Sequence, residues 1–374
     1  MVATPRALAL IGDETGCSLW RVWQPFAELE RHGVIAEWCH KDQSESVLTL
    51  LAAGRYDVIV TPRIVWPAEG LGERWVNAIH NAGIAWIYEV DDDVYSPIIV
   101  ERQMRLFESE RLKGAYQLEW ERNERIRLLT MCDGITVSTK RLATIVKNYA
   151  PEGTPVKVVP NAIDARWFRE TLHGCDRVPQ LMGKLTIGWA GGTREDADLK
   201  PLIEAWPIIA ERYPDVMFVI QGHISEALAD SVPIERRATL PWLPIPEYPR
   251  AMLNVDIACC VVAPLMFNTS KSCIKWYEFT LAGAVCVVSP TTYGREVTDG
   301  VDGLVAESTE EWVEALSRLI ESAELRRTLR REARRKVMTE YSLENNWQNW
   351  PLAWADAVEH FKDKESRRLV LATG

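Results

Sequence analysis

Short runs of Ala, Val, Ile and Leu alternate with helical patterns along the sequence, and this alternation is the strongest constraint on the fold. Ala7-Leu8-Ala9-Leu10-Ile11 passes through a loop holding Gly12 and Gly16 into a segment with Trp20, Trp23, Phe26 and Leu29 on a 3-4 spacing, closed by Gly33. That order is strand, glycine loop, helix. Further strand candidates are 34–38, 56–60, 85–90, 134–138 and 156–160. Strands apolar on both faces and separated by helices belong to a parallel sheet covered on both sides. The pattern restarts at 184–192, where an apolar run ends on Gly191-Gly192, and continues through 216–220, 257–262 and 285–288. Two successive Rossmann-like, doubly wound α/β units are therefore predicted. His173, Gly174 and Pro179 interrupt the pattern between 165 and 183, while Trp347, Trp350 and Trp354 fall on a final amphipathic helix. The predicted division is a first domain over 1–170, a second over 171–345, and a helix over 346–374 packing back on the first.

A length of 374 residues suits two cores better than one. A net charge of -10 gives no global attraction to nucleic acid or anionic lipid, so a polyanionic ligand must be held locally. The eight cysteines show no CxxC or Cys/His ligand spacing and read as reduced thiols of a cytoplasmic protein. The residues after Met1 lack a cleavage pattern and lead into the first strand. The longest apolar stretch, 257–267, falls short of the ~20 residues of a membrane span and contains Pro264, so no stable span is expected.

The segment Phe267-Asn268-Thr269-Ser270-Lys271-Ser272-Cys273-Ile274-Lys275-Trp276-Tyr277-Glu278 carries the chemistry. A polar loop bearing Lys and Ser opens a helix, and a turn at Gly283 then leads to the strand at 285–288. A helix start gathers N–H groups and the positive end of a dipole, so with Lys271 beside it the site suits a diphosphate. Glu278 lies one turn beyond Lys275, in reach of a sugar diol. Together these residues suggest a nucleotide-sugar site.

With two Rossmann-like halves, Pro160-Asn161-Ala162-Ile163-Asp164 before the junction and the 271–289 segment, the chain resembles glycosyltransferases of the GT-B architecture. More narrowly it resembles the retaining, family-4-type group whose second half carries an E-x7-E motif. The resemblance implies two domains facing each other across a cleft. It makes Glu278 the second acid of the motif, on the donor ribose, while the first acid position is Ser270. Gly191, Gly192 and Arg194 match the family's loop on the diphosphate, and Gly16 matches the glycine loop of the first half. Breaking the bond to a nucleoside diphosphate builds charge on the leaving oxygen, which fixed cations stabilise most in the transition state. Arg194 and Lys271 are the expected cations, with Ser272 beside them.

Asp91-Asp92-Asp93 follows the 85–90 strand at the edge where α/β ligands bind. Asp92 is the expected acid for a donor hydroxyl or the developing oxocarbenium ion; a capped strand end explains the same residues. No metal is assigned, because other hard-cation ligands are not evident. Trp242 in Pro241-Trp242-Leu243-Pro244 is the candidate for flanking the base. The crowd of Arg326, Arg327, Arg330, Arg331, Arg334, Arg335 and Lys336 reads as a solvated helix face backed by Glu321, Glu324 and Glu332. The resulting expectation is a cytoplasmic glycosyltransferase that needs no cofactor or metal and moves a hexose, with retention, from a nucleoside-diphosphate sugar such as a UDP-sugar. The rivals are an epimerase or hydrolase on the same fold and a non-catalytic nucleotide-sugar-binding partner. The acceptor stays open among saccharide, lipid-linked glycan, protein, small metabolite and modified DNA base of a phage.

Overall fold

The computed structural model describes residues 4–12, 14–43, 47, 51, 53–63, 71–98, 111–192 and 196–373. The chain forms two compact units, Met1–Ala162 with Leu343–Gly374, and Ile163–Ser342. Each holds one six-stranded, wholly parallel sheet with flanking helices, the Rossmann-like α/β architecture that the alternation predicts.

In the first unit the strands are β1 (Ala7–Ile11), β2 (Ala36–His40), β3 (Val58–Pro62), β4 (Ala85–Val90), β5 (Gly134–Val137) and β6 (Val156–Val158), in the order β2-β1-β3-β4-β5-β6. β1, β3 and β4 are buried along their whole length, so their apolar runs serve two cores. Ala7, Ala9 and Ile11 pack on one face with Phe26, Leu29, Trp350 and Trp354, while Leu8 and Leu10 pack on the other with Trp75, Ile79 and Trp86. The C-terminal helix Asn349–Thr373 thus completes the first unit's core, with Trp350 and Trp354 anchoring it.

The segment of the Trp20-to-Leu29 spacing is not one regular helix. Thr15 accepts from the Cys17 amide to start a short turn, Leu19–Trp23 winds as a π-helix, and only Gln24–Arg31 is α-helical. This widened turn contains Arg21, whose buried guanidinium donates to Glu89 at 2.8 Å and to Val159 O and Asn161 Oδ1 at 2.8 and 2.7 Å. The π-helix is rare and occurs mostly as a single widened turn of this kind within an α-helix.

The second unit holds β7 (Thr186–Gly191), β8 (Met217–Gly222), β9 (Arg237–Leu240), β10 (Ile257–Cys260), β11 (Val285–Val288) and β12 (Leu304–Val305), ordered β12-β11-β10-β7-β8-β9. Trp189, Trp206, Phe218 and Trp312 build its core with Leu202, Ile209 and Leu316. Helix Thr309–Glu321 opens with a reciprocal Ser308/Glu311 capping box. On helix Ala323–Glu340 much of the basic crowd is turned inward. Arg326 donates to Leu319 O and Ile320 O, Arg330 to Asp256 O, Arg334 to Leu281 O, and Lys336 pairs with Asp302. Arg331 and Arg335 share Glu332 on the solvent side. The helix is therefore partly a set of carbonyl caps, not only a solvated face.

Candidate functional site

In an open parallel sheet, ligands settle outside the carboxyl ends of the strands where the order of connection reverses. In the second unit β7, β8 and β9 run one way from β7, and β10 lies on its other side. The connections leaving β7 and β10 therefore diverge and form the two rims of a crevice. One rim begins with Gly191 and Gly192; the other is the 261–273 connection containing the turn Met266–Ser270, then Lys271, Ser272 and Cys273 before helix Ile274–Leu281.

Backbone closeness explains the glycines. A Cβ on Gly191 would lie 2.6 Å from the Trp189 ring. Gly222 has φ +102°, and a Cβ there would lie 2.3 Å from Gly191 O. The His223 amide donates to that same carbonyl at 3.0 Å. Over these glycines stands Trp242, 54% exposed, its ring 3.3 Å from the Cβ position of Gly222 and 4.0 Å from that of Gly192. The His223 ring is 5.3 Å from it. The structure thus brings Gly191, Gly192 and Trp242 together; Arg194 lies outside the described residues.

On the opposite rim the half-buried Lys271 ammonium lies 4.3 Å above the Phe267 ring. Arg295 fixes the backbone by donating to Thr269 O at 2.8 Å and Lys271 O at 2.6 Å. Ser270 is fully buried and donates to Phe267 O at 2.8 Å, so it closes its own turn. Ser272 is half-buried beside Lys271, and the Cys273 side chain at the start of helix Ile274–Leu281 makes no capping hydrogen bond among the described residues.

Glu278 sits in that helix at 2% exposure and accepts the Tyr248 hydroxyl at 2.8 Å. Burial pushes its carboxyl up to about 7, against the opposing pull of the Lys275 cation and the Tyr248 hydrogen bond. Burial, reinforced by Glu278, likewise holds the Tyr248 phenol well above its usual range. Tyr248 is a residue that the sequence reading missed. It lies 30 positions away on a short helix, Tyr248–Met252, and no local signal marks it.

The first unit has its own reversal point, between β1 and β3. Gly16 follows β1, is exposed, and has open space around its Cβ position. Arg63 follows β3 with φ +46°, and its Nε lies 2.9 Å from Asp91 Oδ1. That contact is a charge pair off the direction of a hydrogen bond, since the same oxygen has no hydrogen-bond partner among the described residues. Asp93 is buried and accepts the Tyr95 and Ser96 amides at 3.1 and 3.0 Å, an Asx turn. Asp92, between them, is half-buried. Among the described residues no group of three His, Cys, Asp or Glu is placed to hold a metal ion, and no helix is long and apolar enough to cross a membrane.

A family described as glycosyl transferase-like matches residues 200–351, the stretch that contains Lys271, Ser272 and Glu278. No curated protein matches the sequence. Among solved structures, Anabaena Alr3699/HepE in complex with UDP is similar over 94% of this chain and 99% of its own, at 15% identity and a TM-score of 0.61. The same protein with UDP-glucose matches at 14% identity, over 93% and 99%, with a TM-score of 0.61. A glycosyltransferase from Rickettsia africae matches over 95% and 99%, at 10% identity and a TM-score of 0.63. The two parallel sheets are the GT-B fold, and residues 200–351 match the glycosyl transferase-like family.

Proposed function

We propose that the protein transfers a hexose from a nucleoside-diphosphate sugar to an acceptor, with retention and without a metal ion, and that the donor occupies the crevice of the second unit. The observation that carries this reading is the pairing of two unlike rims at one reversal point. Glycine backbone under an exposed Trp242 forms one rim; Lys271, Ser272 and a helix start at which Cys273 makes no side-chain cap form the other. A flat base suits the indole, and a diphosphate suits the ammonium and the helix N–H groups. Arg194, on the connection after Gly192, is assigned the second cation of the leaving group. Glu278 takes the ribose diol once the Tyr248 hydroxyl yields. Gly16 and Asp92 of the first unit are assigned to sugar hydroxyls, and the first unit takes the acceptor.

The solved Anabaena protein binds UDP and UDP-glucose, so those ligands are the first probes. Calorimetric titration with UDP, UDP-glucose and GDP tests donor binding. Saturable UDP binding that Lys271→Ala weakens at least tenfold supports the reading, and unchanged binding by the variant refutes the placement. Incubation with UDP-glucose alone, followed by separation of the products, distinguishes a transferase from an epimerase, since only the latter turns over without acceptor.

A further inference from the structure

A buried carboxylate joins the two rims of the second unit's crevice. Asp198 lies in the first turn of helix Asp196–Arg212, on the β7 side, and is 0% exposed. Its Oδ1 accepts the Ala263 amide at 3.2 Å and the Asn268 side-chain amide at 3.0 Å, both on the connection leaving β10. Asn268, 1% exposed, donates through the same nitrogen to Ala263 O at 3.0 Å. Its backbone carbonyl accepts the Lys271 amide at 3.3 Å and the Thr292 hydroxyl at 2.8 Å. The path is short: Asp198 carboxylate, Asn268, then the backbone of Lys271.

We propose that Asp198 is a positioning residue for the diphosphate loop, setting the location of Lys271 through Asn268; the proposal rests on the donor reading above. The 261–273 connection has little regular structure beyond one turn, so side-chain anchors decide its course. Arg295 and Thr292 hold it from the β11 side, and Asp198 holds it from the opposite rim. An apolar residue would fill the space, but burying a carboxylate is costly unless donors and a favourable field receive it. Both are present, as two N–H donors and the positive end of the helix that carries Asp198. Binding groups held by a buried supporting network keep the geometry that a ligand needs.

UDP affinity measured by calorimetry tests the proposal on the full chain, using Asp198→Ala, Asp198→Asn, Asn268→Ala, Lys271→Ala and the Asp198→Ala/Lys271→Ala double variant. Asp198→Ala and Asn268→Ala are expected to weaken UDP about tenfold. Asp198→Asn, which keeps an acceptor oxygen, is expected to lose no more than about threefold. In the Lys271→Ala background, Asp198→Ala should change affinity less than twofold, because the group it positions is gone; groups acting as one unit are not additive. Should Asp198→Ala fail to fold, Asn268→Ala carries the same comparison. Losses that multiply in the double variant, or native affinity in folded Asn268→Ala, overturn the positioning role while leaving the donor site standing. UDP affinity untouched by Lys271→Ala overturns both.

Discussion

Glu278→Gln is expected to make the protein more stable at pH 8 and, at the same time, a poorer binder of UDP. Burial at 2% exposure lifts the Glu278 carboxyl from 4.5 to about 7. Between those values the folded chain binds a proton that the unfolded chain has released. The stability contributed by the protonated form is complete below pH 4.5 and is lost as pH rises through 7. At roughly 1.4 kcal/mol per unit the penalty above pH 7 is about 3 kcal/mol at its ceiling. Glutamine never ionises and keeps an oxygen for the Tyr248 hydroxyl, so it escapes that penalty. At about 2 to 4 °C per kcal/mol for a unit of this size, the variant should melt about 6 to 12 °C higher at pH 8. Near pH 4.5 the two proteins should melt together. A gain that does not vary with pH, or a loss at pH 8, would refute the electrostatic argument. The carboxylate is expected to hold the ribose diol through charged hydrogen bonds, each about 1.5 to 3 kcal/mol, so UDP affinity should fall about tenfold or more. Native UDP affinity would remove Glu278 from the ribose and leave the burial argument untouched.

Trp242→Ala should weaken UDP by roughly fivefold to a hundredfold, the range of about 1 to 3 kcal/mol for stacking a base on an aromatic ring, while pyrophosphate binds unchanged; equal losses for both ligands would show that the indole only shapes the loop. Arg21→Ala leaves Glu89 buried at 0% without its cation and should cost about 3 to 5 kcal/mol, read as a lower urea midpoint. Gly222→Ala forces a Cβ against Gly191 O at a φ of +102° and should destabilise by about 1 to 3 kcal/mol, whereas Gly16→Ala meets open space and should move thermal stability by less than about 0.5 kcal/mol.

The strands that were legible in the sequence are those buried on both faces, because β1, β3, β4 and β7 are near-continuous apolar runs. β9 and β12 were not. Arg237–Leu240 is a half-exposed edge strand carrying an arginine, and Leu304–Val305 is only two residues long, so neither has a periodic signal. The Trp20–Trp23 spacing gave a helix but not its π-turn, and the partner of Arg21 within that turn, Glu89, lies 68 positions away. The same division runs through the candidate site. Lys271, Ser272 and Glu278 stand within eight residues and read as one motif. Tyr248 and Asp198 reach that motif across 30 and 70 positions, and no window of sequence contains such pairs. Ser270 is the intermediate case. It stands where the resembled family has an acid, and its hydroxyl is spent on Phe267 O, so an anionic side chain is replaced by a closed turn.

Both sheets offer a reversal point, and the charge around each bears on where the proposed diphosphate would bind. In the first unit the described rims carry Arg63 with Asp91 beside it and Asp92 next in the chain, so one cation faces two carboxylates. A further anion there would meet like charges, each costing about 4 kcal/mol at 4 Å in a medium of effective dielectric 20. In the second unit the described rims carry Lys271 and a helix start; Asp198 is committed inward to Ala263 and Asn268 and Glu278 to Tyr248, while Asp196 is exposed and accepts the Ser225 hydroxyl. Near neutral pH the raised Glu278 carboxyl, at about 7, brings less negative charge to that rim than an ordinary carboxylate would. The acidic rim of the first unit suits hydroxyl groups better, because carboxylates and a guanidinium together accept and donate hydrogen bonds without drawing in a second anion.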